Sequence, residues 1–178
     1  RGQSYIIYAL DASGSMKGAK IDACKRAGIA LAYKAIDERD KVGLIVFGSE
    51  IKTAIEPTLD FSYLLKSITR AKASKETDLV ASLKKSIELF PNENITKHLI
   101  LITDALPTIG KEPEKETLQE VSIARNNSIT ISLIGINLNE KGKKLAEKIV
   151  ELGEGKLYTV KNIENIDKVV LEDYYSVV

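Results

Sequence analysis

The sequence has no tryptophan, a single cysteine, a single histidine, a single methionine and only four prolines. One cysteine, Cys24, excludes an intramolecular disulfide, and with His98 as the only histidine it excludes a zinc site of the Cys/His type. Charge of one sign is also missing: 26 Lys+Arg stand against 25 Asp+Glu, a formal net charge of +1. No basic face emerges from that balance, so nucleic-acid and membrane-surface binding are not expected. No apolar run approaches the ~20 residues of a membrane span, and no secretory leader is legible. Cys24 stands with Ala23, Ala27 and Leu31 in a helical pattern and reads as a core thiol, compatible with a reducing, cytoplasmic setting. The chain opens on Arg1 and enters an apolar run almost at once, the pattern of a domain excised from a longer protein.

What is present is an ordinary globular composition, with 44% hydrophobic and 29% charged residues. A chain of 178 residues suffices for one domain, residues 1–178, that buries roughly 70% of its unfolded surface. Apolar runs predict strands over 4–10, 42–47, 51–54, 98–103, 129–136 and 156–160. Residues with helical spacing predict helices over 18–36, 61–68, 78–90, 115–126, 140–152 and a last one from Ile163 to Tyr174. Gly48-Ser49-Glu50 predicts a hairpin that sets one antiparallel edge strand beside the sheet. Pro107 and Pro113 break the loop before the fourth helix. Strands alternating with helices predict an α/β fold: a doubly wound, mostly parallel central sheet with helices on both faces.

Two of the apolar runs stop on an aspartate, YIIYAL on Asp11 and HLILIT on Asp104. In such a sheet, ligands bind outside the carboxyl ends of the strands, near the point where strand order reverses. If these two strands are neighbours, their carboxylates converge, and a divalent cation resolves the repulsion. Each Asp alone is also readable, as the lesser alternative, as a cap on the following helix. Ser13 and Ser15 follow Asp11 in an irregular turn, and Thr77 falls just before the helix led by Leu79, at its N-cap position. Carboxylate and hydroxyl oxygens are the donors of a hard ion such as Mg²⁺. Each segment alone is a capped turn; the three together are an oxygen cage.

The segments DASGSMKG (11–18), KETDL (75–79) and ITDALP (102–107) resemble a von Willebrand factor type A domain across essentially the whole chain. The resemblance implies a Rossmann-like fold and a metal-ion-dependent adhesion site formed by Asp11, Ser13, Ser15, Thr77 and Asp104. It further implies Mg²⁺ as the resident ion, with Mn²⁺ and Ca²⁺ as alternatives, and a protein partner whose Asp or Glu bonds to it. The SGSMxG form, with Met16 and Gly18, resembles intracellular members that work with AAA+ ATPases, as in magnesium chelatase. Two departures stand out: Lys75-Glu76 where many relatives carry Gly-Gly, and Ala105 where many carry Gly after the aspartate. The first predicts that Glu76 lies near the crevice and biases which partners enter.

The expected function is therefore recognition, not enzymatic catalysis. A metal-dependent phosphohydrolase using Asp11 is the alternative, although Ser13 occupies the place of the second Asp in a D-x-D pattern. A structural module without metal is a further one. No phosphate-binding GxxxxGK[ST] loop and no GxSxG elbow occur. His98 is expected at the far rim of the sheet, at about six residues of ~3.3 Å from Asp104. Lys20 is expected as solvated surface or as a steering charge for an acidic partner, and the last helix as a static core helix.

Overall fold

The computed structural model describes residues 2–106 and 112–178, so Pro107 lies outside the described residues. The first apolar run becomes strand β1, Ser4–Asp11, with all eight residues buried. Helix α1 spans Ala19–Asp37, strand β2 Lys41–Phe47, strand β3 Ile51–Thr58 and helix α2 Phe61–Thr69. Helix α3 covers Leu79–Leu89 and strand β4 Thr96–Thr103. Then follow α4 (Pro113–Asn126), β5 (Ile129–Ile136), α5 (Glu140–Gly153), β6 (Glu154–Val160) and α6 (Ile166–Val177). The last predicted helix divides, because a short 3₁₀ turn over Ile163–Asn165 precedes α6. Pro113 opens α4, where its missing N–H costs nothing.

Among the described residues the sheet has six strands in the order β3-β2-β1-β4-β5-β6. All neighbours pair in parallel except β2 and β3, the predicted hairpin. This is the doubly wound α/β sheet expected from the strand–helix alternation. Alternating residues of β1 feed two cores: Ile6, Tyr8 and Leu10 meet α1, α2 and α6, while Tyr5, Ile7 and Ala9 meet α3, α4 and α5. A strand buried on both faces must be apolar throughout, which is why YIIYAL shows no polar alternation. Cys24 is a buried free thiol in the first core, as its spacing predicts.

Strand order reverses between β1 and β4, since β1 leads through α1 to β2 on one side and β4 lies on the other. Leu10 pairs with both Val46 and Ile102, so β1 and β4 end side by side. The switch point thus carries Asp11 and, one residue beyond β4, Asp104.

The opposite end of the sheet overturns the expected position of His98. It is fully buried, not at a rim, because α6 packs over it. His98 Nε2 lies 2.6 Å from Asp173 Oδ2 and Nδ1 2.6 Å from Thr130 Oγ1. Ser132 Oγ donates to Asp173 Oδ1 at 2.7 Å. A second tie joins Tyr174 OH to Asp40 Oδ2 at 2.6 Å, while the Ser4 N–H donates to Asp40 Oδ1 at 2.8 Å. Helix α6 is therefore held by buried polar bonds as well as by Ile166, Val170 and Tyr174 in the core. Asp173→Ala removes the shared partner of two buried groups and is expected to destabilise the domain by about 3 kcal/mol in urea unfolding. A loss below about 0.5 kcal/mol, the scale of ordinary surface changes, would show that the Asp173 network does not hold α6.

Candidate functional site

The crevice begins where β1 ends. Ala12 N–H makes the last backbone tie along β1, to Phe47 O at 2.6 Å, and the chain then turns. Asp11 shapes that turn itself, since its Oδ1 accepts the Ser13 N–H at 2.8 Å. Its Oδ2 lies 2.5 Å from the hydroxyl of Thr103, the last residue of β4. A 3₁₀ turn over Gly14–Met16 follows, with Met16 buried as its anchor. Gly18 then takes φ +92°, a left-handed conformation that favours glycine, and opens α1.

These turns bring hydroxyls and carboxylates together. Ser13 Oγ and Ser15 Oγ are 3.2 Å apart, and Ser15 Oγ donates to Asp104 Oδ1 at 2.7 Å. Hydrogen bonds thus run from Asp11 to the Ser13 N–H and from Ser13 Oγ through Ser15 Oγ to Asp104, and Thr103, covalently next to Asp104, completes the circuit by its bond to Asp11.

Thr77 sits on a third loop stitched to the loop after β1 and to the β2–β3 turn. Ser74 N–H donates to Ala12 O at 2.6 Å, Gly14 N–H to Lys75 O at 3.4 Å, and Asp78 N–H to Gly48 O at 2.6 Å. The approach is close enough that a Cβ at Gly14 would lie 2.7 Å from Ser74 O. The N-cap of α3 is Asp78, whose Oδ1 accepts the Ala81 N–H at 2.9 Å, and not Thr77 as the spacing predicts. Capping therefore does not account for Thr77, which is buried between the exposed Glu76 and the cap.

Asp11 is fully buried, and burial is the main cause that raises its pKa above the usual carboxylate range. The Thr103 and Ser13 hydrogen bonds oppose that rise, and the Asp104 charge adds to it. Because the folded value lies above the unfolded one, Asp11 favours the fold at low pH, and that contribution fades as pH rises through the folded value. The same two carboxylates, after burial itself, help push the Cys24 thiol up to about 12.

Asp104 has a cation. Lys20 Nζ lies 2.9 Å from its Oδ2, so Lys20 is neither plain solvated surface nor a free steering charge. Sequence reasoning missed this contact, and it assigned Thr103 no role. The signal for Thr103 was its place one residue before Asp104. For Lys20 it was its place in the first turn of a helix that starts at the crevice.

Two carboxylates and three hydroxyls are an all-oxygen donor set, and that chemistry fits a hard divalent cation rather than zinc. An ammonium already drawn onto Asp104 is consistent with a site that attracts positive charge. Among the described residues, no group of three or more His, Cys, Asp and Glu side chains could hold a metal ion, and the crevice brings together two carboxylates only. Beside Asp104, a cavity of about 1020 Å³ opens between α4 and α5, walled by Leu106, Pro113, Leu118, Leu138 and Leu145. His98 lies at the other end of β4, away from this crevice.

Comparison with known proteins agrees with this architecture. The von Willebrand factor type A domain profile matches residues 6–106. A magnesium-chelatase 67 kDa subunit from Heliobacterium mobile is 30% identical over 129 residues, 67% of this chain and 19% of that protein. A von Willebrand factor A domain-containing protein of Dictyostelium discoideum is 25% identical over 140 residues, 75% of this chain and 15% of that protein. This chain thus spans less than a fifth of either relative. Among solved structures, a von Willebrand factor type A protein from Catenulispora acidiphila superposes with a TM-score of 0.81 at 16% identity, covering 96% of this chain and 42% of that one. Among the described residues no helix is long and apolar enough to cross a membrane. The profile match spans more than half of the sequence and coincides with the switch-point crevice: the chain belongs to the von Willebrand factor type A domain family.

Proposed function

We propose that this domain is a metal-dependent protein-recognition module of the chelatase-like branch. Asp11, Ser13, Ser15, Thr77 and Asp104 would hold Mg²⁺, with Mn²⁺ or Ca²⁺ able to replace it. A protein partner would present an Asp or Glu to the site, and a complex containing an AAA+ ATPase is the partner class we place first. The observation that carries this reading is the hydrogen-bonded circuit of Asp11, Ser13, Ser15 and Asp104 at the switch point of the sheet.

The bound ion supplies an electrophilic position at which an incoming carboxylate can bond. The protein's own contribution is to fix oxygens in place. Ser13 N–H and the Thr103 hydroxyl orient Asp11, while the Ser15 hydroxyl orients Asp104. The cavity beside Asp104 offers apolar wall on one side of the crevice, and Ser15 with Lys20 offers polar surface on the other. That combination suits a peptide segment better than a small hydrated ligand.

Recognition is favoured over phosphoryl transfer by the state of Asp11. Each of its oxygens accepts one hydrogen bond and keeps a lone pair for a small ion, but the residue is wholly buried, which denies a phosphoryl group the in-line access a nucleophile needs. The domain itself would then break no bond. Glu76, exposed just before Thr77, would face an arriving partner and select against acidic flanks.

Thermal unfolding tests the metal. Addition of Mg²⁺ at about a hundred times its Kd is expected to stabilise the wild type by about 2.7 kcal/mol. Asp11→Asn keeps the Ser13 bond, and its amide can donate to Thr103, whose proton then serves Ala105 O 2.6 Å away. This variant should fold at least as stably in chelator and show no Mg²⁺ response; an undiminished response would remove Asp11 from the site.

Affinity capture from source lysate tests the partner. Proteins retained by wild type with Mg²⁺ are expected to be lost both in chelator and with Asp11→Ala. Retention in both would favour a structural module, and phosphatase activity abolished by Asp11→Asn would favour the hydrolase. For the captured partner, Glu76→Gly should change the affinity several-fold, and an unchanged value would remove Glu76 from selection.

A further inference from the structure

We propose that Lys20 is a tethered counter-cation that competes with a divalent ion for Asp104 and so sets the affinity of the site. This rests on the metal-site reading above and adds its regulation. Lys20 is the second residue of α1, and Gly18 with its left-handed φ starts the helix at the crevice, so the side chain reaches straight across. Its Nζ lies 2.9 Å from Asp104 Oδ2 and 3.5 Å from Ser15 O. The Lys20 side chain is 34% exposed while that of Asp104 is 4% exposed. The ammonium is therefore anchored on one side and open to water on the other.

The two carboxylates are not treated alike. Asp11 is held by an N–H and a hydroxyl, both neutral donors, whereas Asp104 is held by a hydroxyl and a full positive charge. A doubly charged ion that engages both carboxylates makes the ammonium at Asp104 surplus, and the two cations repel at that distance. A flexible four-carbon stem with a hydrated head can leave such a contact with little distortion of the helix. Asp104 thus has a compensating charge in either state, and the free energy of the Lys20 pair is subtracted from that of metal binding. The consequence is an ion held loosely enough to exchange.

Calorimetric titration with Mn²⁺ tests the proposal on wild type, Lys20→Met and Lys20→Arg, each first checked for folding by circular dichroism. Lys20→Met should bind Mn²⁺ about fivefold more tightly, the worth of a partly exposed ion pair. Lys20→Arg, which keeps the charge, should bind no more tightly than wild type. In chelator, Lys20→Met should lower the unfolding midpoint, and this shift should vanish in an Asp104→Asn background. Mn²⁺ binding by Lys20→Met alone would also support competition. Equal or weaker binding by Lys20→Met than by wild type would overturn it and leave the metal site standing. Absence of binding by all three proteins would overturn the metal reading and this proposal with it.

Discussion

Two carboxylates at the ends of neighbouring strands constrain everything around them. Asp11 is wholly buried and the Asp104 side chain nearly so, both at the strand ends where strand order reverses. Buried negative charge is costly unless donors or cations meet it. The surrounding chain does this from every side: a backbone N–H from Ser13, hydroxyls from Ser15 and Thr103, and an ammonium from Lys20. The 74–78 loop is tied to the same turn by backbone bonds at Ala12 and Gly14, where Gly14 comes close to the Ser74 backbone.

The opposite end of the sheet shows a different use of buried polarity. His98, Asp173 and Ser132 are fully buried and satisfy one another, with the half-buried Thr130 on the second ring nitrogen of His98. That network fastens α6 to β4 and β5, and Tyr174 fastens it to the loop after α1 through Asp40. The contrast is instructive. At the switch point the donors are arranged around a crevice, whereas under α6 they close on each other. A buried histidine–carboxylate pair is a structural clasp here, and its distance from the crevice keeps it out of the proposed recognition.

Much of this was legible in the sequence, and the limits have physical causes. An apolar run located β5 over 129–136 and period-3.6 spacing the core stripe of α1, because burial selects apolar residues directly. The strand ends at Asp11 and Asp104 were visible as interruptions of apolar runs. The cap of α3 was misassigned by one residue, since Thr77 and Asp78 are both good caps and only the backbone chooses between them. His98 was misplaced because its partner lies 75 residues away, beyond any local pattern. Lys20 was missed because a long side chain reaches in a direction that spacing does not encode, towards a carboxylate 84 residues on.

The central claim is that the circuit from Asp11 to Asp104 is a cation site. Electron paramagnetic resonance of Mn²⁺ added to the wild-type domain tests it most directly, because protein-bound Mn²⁺ loses the sharp lines of the hydrated ion. The account predicts a single bound ion per chain, displaced by excess Mg²⁺ and absent in Asp11→Ala. A spectrum that remains that of free Mn²⁺ at every protein concentration, or a bound signal unchanged in Asp11→Ala, would contradict it.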